Sequence, residues 1–241
     1  MDEVTFDWVA GKAAGILQID GLVSTEVVEL LLTKLEPIYG TVAKQGKTLG
    51  GLDTSTKYCM DLGLSESNAK ENGYEWDREY AYIEDSLTES LTAAVNYYKS
   101  KVRALYGWND IMDTGFNIQM YPKFYGRYME HVDSAPSDHR SAPRVLAAIF
   151  YLNDVNVGGQ TSFVDYGLSV VPKVGRLILF PAIWTHTHKA EVPISDDKWI
   201  INTFLVSSEA VEMVGHYDSH LEQQRNEQDH DHPHPHPHPH D

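Results

Sequence analysis

The chain has 241 residues, with 19 Lys+Arg against 35 Asp+Glu and a formal net charge of −16. That balance argues against a basic surface for nucleic acid or anionic membrane. The single cysteine, Cys59, excludes an internal disulfide framework and a Cys-rich zinc module. With 42% hydrophobic residues the chain can build a real core.

The opening residues, Met1-Asp2-Glu3-Val4-Thr5, are acidic where a secretory leader would be basic and then apolar. The longest apolar run, Val145 to Leu152, is eight residues, far short of the about 20 that cross a bilayer. The expectation is a cytoplasmic protein in a reducing compartment, with no membrane and no nucleic-acid partner.

In chain order, Ile16 to Ile19 predicts a short strand. Ser24 is a good helix N-cap with Glu26 in the first turn. Val27, Val28, Leu31 and Leu35 then recur at helical spacing, and Pro37 marks the end. A second helix is predicted from the capping-box pair Ser86 and Glu89. Its apolar positions run Ile83, Leu87, Leu91, Val95, Tyr98, Val102, Leu105, and Gly107 is the stop. These helices define a supporting region of about 14–107. Between them, residues 40–76 are polar and glycine-rich. Such a long connection reads as a lid, a substrate loop or plain surface irregularity.

From residue 114 the period changes to two. Phe116, Ile118 and Met120 alternate, as do Tyr128 to Asp133, and Val145 to Leu152 is a buried-strand run. Thr161–Val164, Leu168–Pro172, Arg176–Phe180, Trp184–His188 and Lys198–Val206 come after it. Short strands at this density predict a mainly β, jelly-roll or barrel core over about 114–207, not an α/β sheet. Residues 1–225 are expected to form a single domain. Residues 226–241, ending in alternating His and Pro, have almost nothing to bury. They are expected to be a disordered tail with polyproline II bias. Its six histidines could bind divalent metal.

Chemistry concentrates at His131-Val132-Asp133. Residues i and i+2 of a strand share a face, so one imidazole and one carboxylate can meet at one point. His186 and His188, again two apart, each offer a third ligand. Two histidines and a carboxylate form the facial triad typical of non-haem Fe(II) oxygenases.

The block Tyr151-Leu152-Asn153-Asp154-Val155 through Gly158-Gly159-Gln160-Thr161-Ser162-Phe163, with Val171-Pro172, Gly175 and His188…Lys198, is more specific. Over residues 114–206 the sequence resembles the Fe(II)/2-oxoglutarate-dependent dioxygenase superfamily, in its prolyl 4-hydroxylase-like branch. A small acidic chain without a leader is most similar to bacterial and phage-encoded members. The resemblance implies a double-stranded β-helix (a cupin-like jelly roll) with Fe(II) held by His131, Asp133 and His188. It selects His188 because the distal ligand should precede the basic 2-oxoglutarate anchor, Lys198, by ten residues. It implies that Thr161 helps hold the same carboxylate and that Tyr121 reaches the co-substrate, although Tyr121 lies one residue further from His131 than the family spacing. It puts Tyr128, Arg144 and Trp184 near substrate. Phe204 stands where many relatives have tryptophan.

The implied activity is hydroxylation of an unactivated C–H bond, of a peptidyl proline first of all, with O2 and 2-oxoglutarate consumed, succinate and CO2 released and ascorbate as a possible reductant. The alternatives are the same chemistry on a free amino acid, another protein side chain or a small metabolite. A cupin-like metal-binding protein without turnover, a zinc hydrolase and a metal-storing tail are further rivals. Lys198 and Thr161 argue against both the cupin-like binder and the hydrolase, because a hydrolase needs no dicarboxylate anchor.

Overall fold

The structure, a computed structural model, describes residues 3–48, 50–135, 141 and 143–209; the predicted tail at 226–241 lies outside the described residues. The chain opens with an antiparallel pair, β1 (Thr5–Val9) and β2 (Ile16–Asp20). Helix α1 (Thr25–Leu35) begins as the sequence predicts. The Ser24 hydroxyl accepts from the Val27 amide at 3.3 Å, and Val27, Val28, Leu31 and Leu35 are all buried.

The polar stretch 40–76 is built, not irregular. It holds α2 (Tyr39–Val42, entering from the preceding turn), β3 (Lys44–Gln45), β4 (Lys57–Tyr58), β5 (Met60–Leu64) and α3 (Glu66–Asn72). Each piece is too short for its periodicity to register in the sequence.

Helix α4 (Arg78–Lys101) starts about two turns before the predicted cap. Asp77 accepts from the amides of Glu79 and Tyr80, both at 3.1 Å. Ser86 lies inside the helix, where its hydroxyl donates to the Tyr82 carbonyl at 2.8 Å. This back-bond lets serine sit mid-helix, so the capping-box pattern there is coincidental. The helix also stops short of Gly107, because residues Arg103–Leu105 tighten into a 3-10 turn.

The remaining strands are β6 (Ile111–Asp113), β7 (Phe116–Tyr121), β8 (Arg127–His131), β9 (Arg144–Tyr151), β10 (Thr161–Phe163), β11 (Leu168–Val170), β12 (Leu177–Pro181), β13 (His188–Ala190) and β14 (Lys198–Ser207). Two predicted strands need correction. β8 ends at His131, so Asp133 lies beyond it. Trp184–His186 is a 3-10 turn, closed by the His186 amide donating to the Ile183 carbonyl at 3.0 Å. His186 and His188 therefore do not share a strand face.

The strands form two antiparallel sheets. The larger runs β1-β2-β12-β9-β14-β7-β5-β3, with β6 added beside β14; the smaller runs β11-β10-β13-β8-β4. Strand β9 explains the architecture. Leu146, Ala148 and Phe150 pack with α1 and α4 on one face, while Ala147, Ile149 and Tyr151 pack toward the smaller sheet on the other. Both faces are covered, which is why its sequence is continuously apolar instead of alternating. The result is three layers: helices, large sheet, small sheet. The mainly β jelly-roll with supporting N-terminal helices is the fold observed. No helix among the described residues is long and apolar enough to cross a membrane.

Candidate metal centre and its cavity

Between the two sheets lies a cavity of about 250 Å³. At one wall His131, on the last residue of β8, pairs in register with His188, the first residue of β13. Asp133 reaches back from just past β8. Its Oδ1 lies 3.6 Å from His131 Nε2 and its Oδ2 3.5 Å from His188 Nε2. One ligand atom from each of the three falls within 4.8 Å of the others.

Both imidazoles are oriented by the backbone. His131 Nδ1 donates to the Met129 carbonyl at 2.8 Å, and His188 Nδ1 donates to the His186 carbonyl at 3.0 Å. That tautomer leaves each Nε2 lone pair facing Asp133, the arrangement a metal needs. Burial and the neighbouring His188 press the His131 pKa down to about 4, which keeps the ring neutral at ordinary pH. Tyr128 stacks on His131 with ring centroids 3.5 Å apart and 15° between planes. Arg144 Nη1 donates to the Asp133 carbonyl at 3.0 Å and so steadies the segment that carries the carboxylate.

His186 is excluded from the cluster. It is buried, with Nε2 against the Ala14 carbonyl at 2.6 Å and Nδ1 against the Thr185 hydroxyl at 2.8 Å. Trp184 sits on the surface, 64% exposed, and is not among the residues that line the cavity.

The inner end of the cavity is set by β14 and β7. Lys198 is the register partner of Tyr121, and its Nζ lies 5.4 and 5.6 Å from the ring centroids of Tyr121 and Tyr151. Lys198 is 1% exposed and has no carboxylate within ion-pair distance among the described residues. Burial drives its pKa down to about 7. The Tyr151 hydroxyl donates to Thr161 Oγ1 at 2.7 Å, which leaves the threonine its own hydrogen to give to the cavity. The Tyr121 hydroxyl donates to Gln119 Oε1 at 2.9 Å. Gly126 makes the close return from β7 to β8 possible: a Cβ there would stand 2.6 Å from the Tyr121 carbonyl carbon.

The outer end uses residues the sequence did not single out. Lys47, Thr48, Lys57 and Asp61 enter from the 40–76 region, and Asn117 and Asn202 from β7 and β14. Lys57 is 5% exposed; its Nζ lies 3.0 Å from Asp61 Oδ2 and 5.4 Å from the centroid of the Tyr128 ring. Asp61 Oδ1 also accepts from Cys59 Sγ at 3.1 Å, and burial pushes the thiol pKa well up, so Cys59 stays protonated. The one available signal was a lysine in a polar loop, which is indistinguishable from a solvated one without knowing that β4 joins the smaller sheet beside β8.

The donor chemistry fits an Fe(II) site with a dicarboxylate beside it. Two neutral imidazoles and one carboxylate on one side suit a borderline divalent metal. A buried cation without an anion, flanked by a hydroxyl free to donate, suits the far end of an acidic co-substrate.

Residues 116–206 match the family model of the 2OG-Fe(II) oxygenase superfamily. Among the chain's relatives is the prolyl 4-hydroxylase subunit alpha-1 of Rattus norvegicus, 30% identical over 156 residues, covering 52% of this chain and 29% of that protein. The Gallus gallus counterpart is 32% identical over 156 residues, covering 52% and 30%. The chain thus spans about three tenths of the length of these curated relatives. The fold is also that of a viral collagen prolyl hydroxylase from Paramecium Bursaria Chlorella virus-1 solved with 2OG, with TM-score 0.60 at 15% identity over 81% of this chain and 98% of that one. A prolyl hydroxylase from Trichoplax adhaerens, in complex with a hypoxia inducible factor peptide fragment, gives TM-score 0.61 at 17% identity over 84% and 88%. A Pseudomonas putida prolyl-4-hydroxylase gives 0.56 at 15% identity over 81% and 94%.

Proposed function

We propose that the chain is an Fe(II)- and 2-oxoglutarate-dependent dioxygenase that hydroxylates a prolyl residue in a peptide, with residues 1–225 acting as one domain. The observation that carries this reading is the coincidence, in one cavity, of the His131–Asp133–His188 cluster and a buried Lys198 with no ion-pair partner among the described residues. The relatives' names supply the prolyl substrate.

His131, Asp133 and His188 would hold the metal, which when bound supplies the activation of dioxygen. The protein's own residues do the rest. Lys198 and Thr161 bind the far carboxylate of 2-oxoglutarate, and Tyr121 closes the wall beside it. Tyr128 and the Met129 carbonyl fix the plane of His131. Arg144 fixes the segment of Asp133, and its guanidinium lies 3.8 Å from the Phe204 ring centroid. Ala147, Ile149 and Ile200 make that part of the cavity apolar and exclude water from the reacting carbon. Tyr128, Arg144 and Trp184 are assigned to the peptide side, Trp184 from outside the cavity. Ascorbate belongs to the same proposal, as a reductant that restores Fe(II).

The test is anaerobic addition of Fe(II) and 2-oxoglutarate, read as the visible charge-transfer band of the chelated complex. The band is expected in the wild type, lost in His188→Ala and weakened in Lys198→Ala. Bound metal without the band would overturn the oxygenase reading. A panel of proline-rich peptides that gains no oxygen while 2-oxoglutarate is consumed would overturn the prolyl substrate alone.

A further inference from the structure

The last described strand, β14, forms one wall of the cavity. Along β14 every second residue, Lys198, Ile200, Asn202 and Phe204, faces the cavity, so the strand runs from the co-substrate end outward. Val206 is the register partner of Arg144, whose Nη1 is bonded to the Asp133 carbonyl. The strand end is pinned there: Ser207 Oγ bonds Asp110 Oδ2 and the Ser208 amide donates to the Asp110 carbonyl at 2.9 Å. The last described residues therefore stand at the end of a strand that lines the cavity, beside β9, whose Arg144 is bonded to the Asp133 carbonyl.

Downstream in the sequence, proline occupies every second position from 233 to 239, spaced by histidine. Pro233 is 25 residues past Ser208, a contour of up to about 80 Å, many times the about 10 Å between packed sheets. A tethered segment that can span the gap meets its site at about millimolar effective concentration. The outer cavity also suits such a segment chemically. Proline has no amide hydrogen, so a proline-rich strand offers a surplus of carbonyl acceptors. Asn117 Nδ2 donates to Asn202 Oδ1 at 3.2 Å, which leaves the Asn202 amide hydrogens to meet carbonyls in the cavity.

We propose that the chain is its own substrate: Pro233, Pro235, Pro237 and Pro239 are hydroxylated by the cavity of the same molecule. The proposal rests on the prolyl hydroxylase reading of that cavity. For each proline one C–H bond is replaced by C–OH, with one atom of O2. The other oxygen atom enters succinate as 2-oxoglutarate loses CO2. The four electrons that reduce O2 come in equal shares from the C–H bond and from the decarboxylation.

The experiment uses the full chain with Fe(II), 2-oxoglutarate and isotopically heavy dioxygen, alongside a free proline-rich peptide in a parallel reaction. Intact mass and fragment spectra are expected to place heavy oxygen on the four prolines, and acid hydrolysis to release hydroxyproline. The rate per molecule should not change over about a hundredfold dilution, as for an intramolecular event. His188→Ala should add none. A rate that falls with dilution overturns modification within one molecule. Oxygen on the histidines, or persisting in His188→Ala, overturns the proposal in favour of metal-catalysed oxidation by the His-rich stretch. Hydroxylation of the free peptide with an unmodified tail overturns the proposal and leaves the enzyme reading intact. No hydroxylation of either peptide or tail removes both.

Discussion

The two ends of the cavity are built on different principles. The inner end is made of regular strand residues, Lys198, Tyr121, Tyr151 and Thr161, locked by register and by one another's hydroxyls. Lys198 is left without an anion there. The outer end draws on short pieces of the 40–76 region, and its buried cation, Lys57, already has Asp61, while Lys47 is exposed to solvent. The inner end is therefore incomplete until an anion arrives, whereas the buried cation of the outer end is already paired and that end offers amides and apolar surface.

The difference can be broken at its centre first. Asp133→Ala removes the only carboxylate of the cluster and is expected to lower succinate formation by more than about a hundredfold, since even supporting residues of metal sites cost 10- to 100-fold. Metal content, measured with the activity, should fall with it.

Lys198→Met sharpens the contrast because it has two opposite effects. It should weaken 2-oxoglutarate binding by about 2–5 kcal/mol, as losing one partner of a buried charge pair does. Free of ligand, the same variant should melt higher than the wild type, because an unpaired buried ammonium has been replaced by an apolar chain. Calorimetric titration and thermal melting read the two signs separately. Lys57→Met, by comparison, should leave 2-oxoglutarate binding unchanged and raise the KM for peptide.

The pH dependence comes from the same lysine. Its pKa is near 7 in the folded protein and 10.5 in the unfolded chain. Between these values the unfolded chain binds the extra proton, so the stability penalty is complete below about 7 and relieved as pH rises toward 10.5. The ligand-free protein should gain stability across that window, and Lys198→Met should not. Dicarboxylate binding runs the other way: above about pH 7 it requires proton uptake, so affinity should fall by up to tenfold per pH unit.

The smallest effect is expected far from the chemistry. Thr203 Oγ1 is buried with no hydrogen-bond partner among the described residues, on the β14 face shared with Ile201 and Leu205. Thr203→Val should raise stability by about 1 kcal/mol without changing either binding constant. Denaturant midpoints would show it.

The residues of the inner end were picked out by the family resemblance, which also supplies the ten residues expected between His188 and Lys198. Strand alternation places Lys198 and Thr161 in strands but does not by itself separate them from a strand-start charge and an ordinary β-branched strand residue. The choice of His188 over His186 could not come from the face argument, since Trp184–His186 is a turn. Asp133 likewise reaches the cluster from beyond its strand. The start of α4 was hidden because Ser86 imitates a cap while Asp77 is the real one. Lys57 and Asp61 were illegible for a different reason: β4 is two residues long and carries no period, and only its pairing with β8 brings the lysine to the cavity.

That same pairing has a practical corollary for Cys59. The residue is 1% exposed and its sulfur is held as the thiol, and a Cβ on Gly46 would stand 2.5 Å from that sulfur, so nothing larger than glycine packs there. Alkylating reagents need the thiolate and a path to it. The chain's only thiol should thus react at the rate at which the segment around β3 and β5 opens, which makes pulse labelling of Cys59 a clock for the local breathing of the cavity's outer wall.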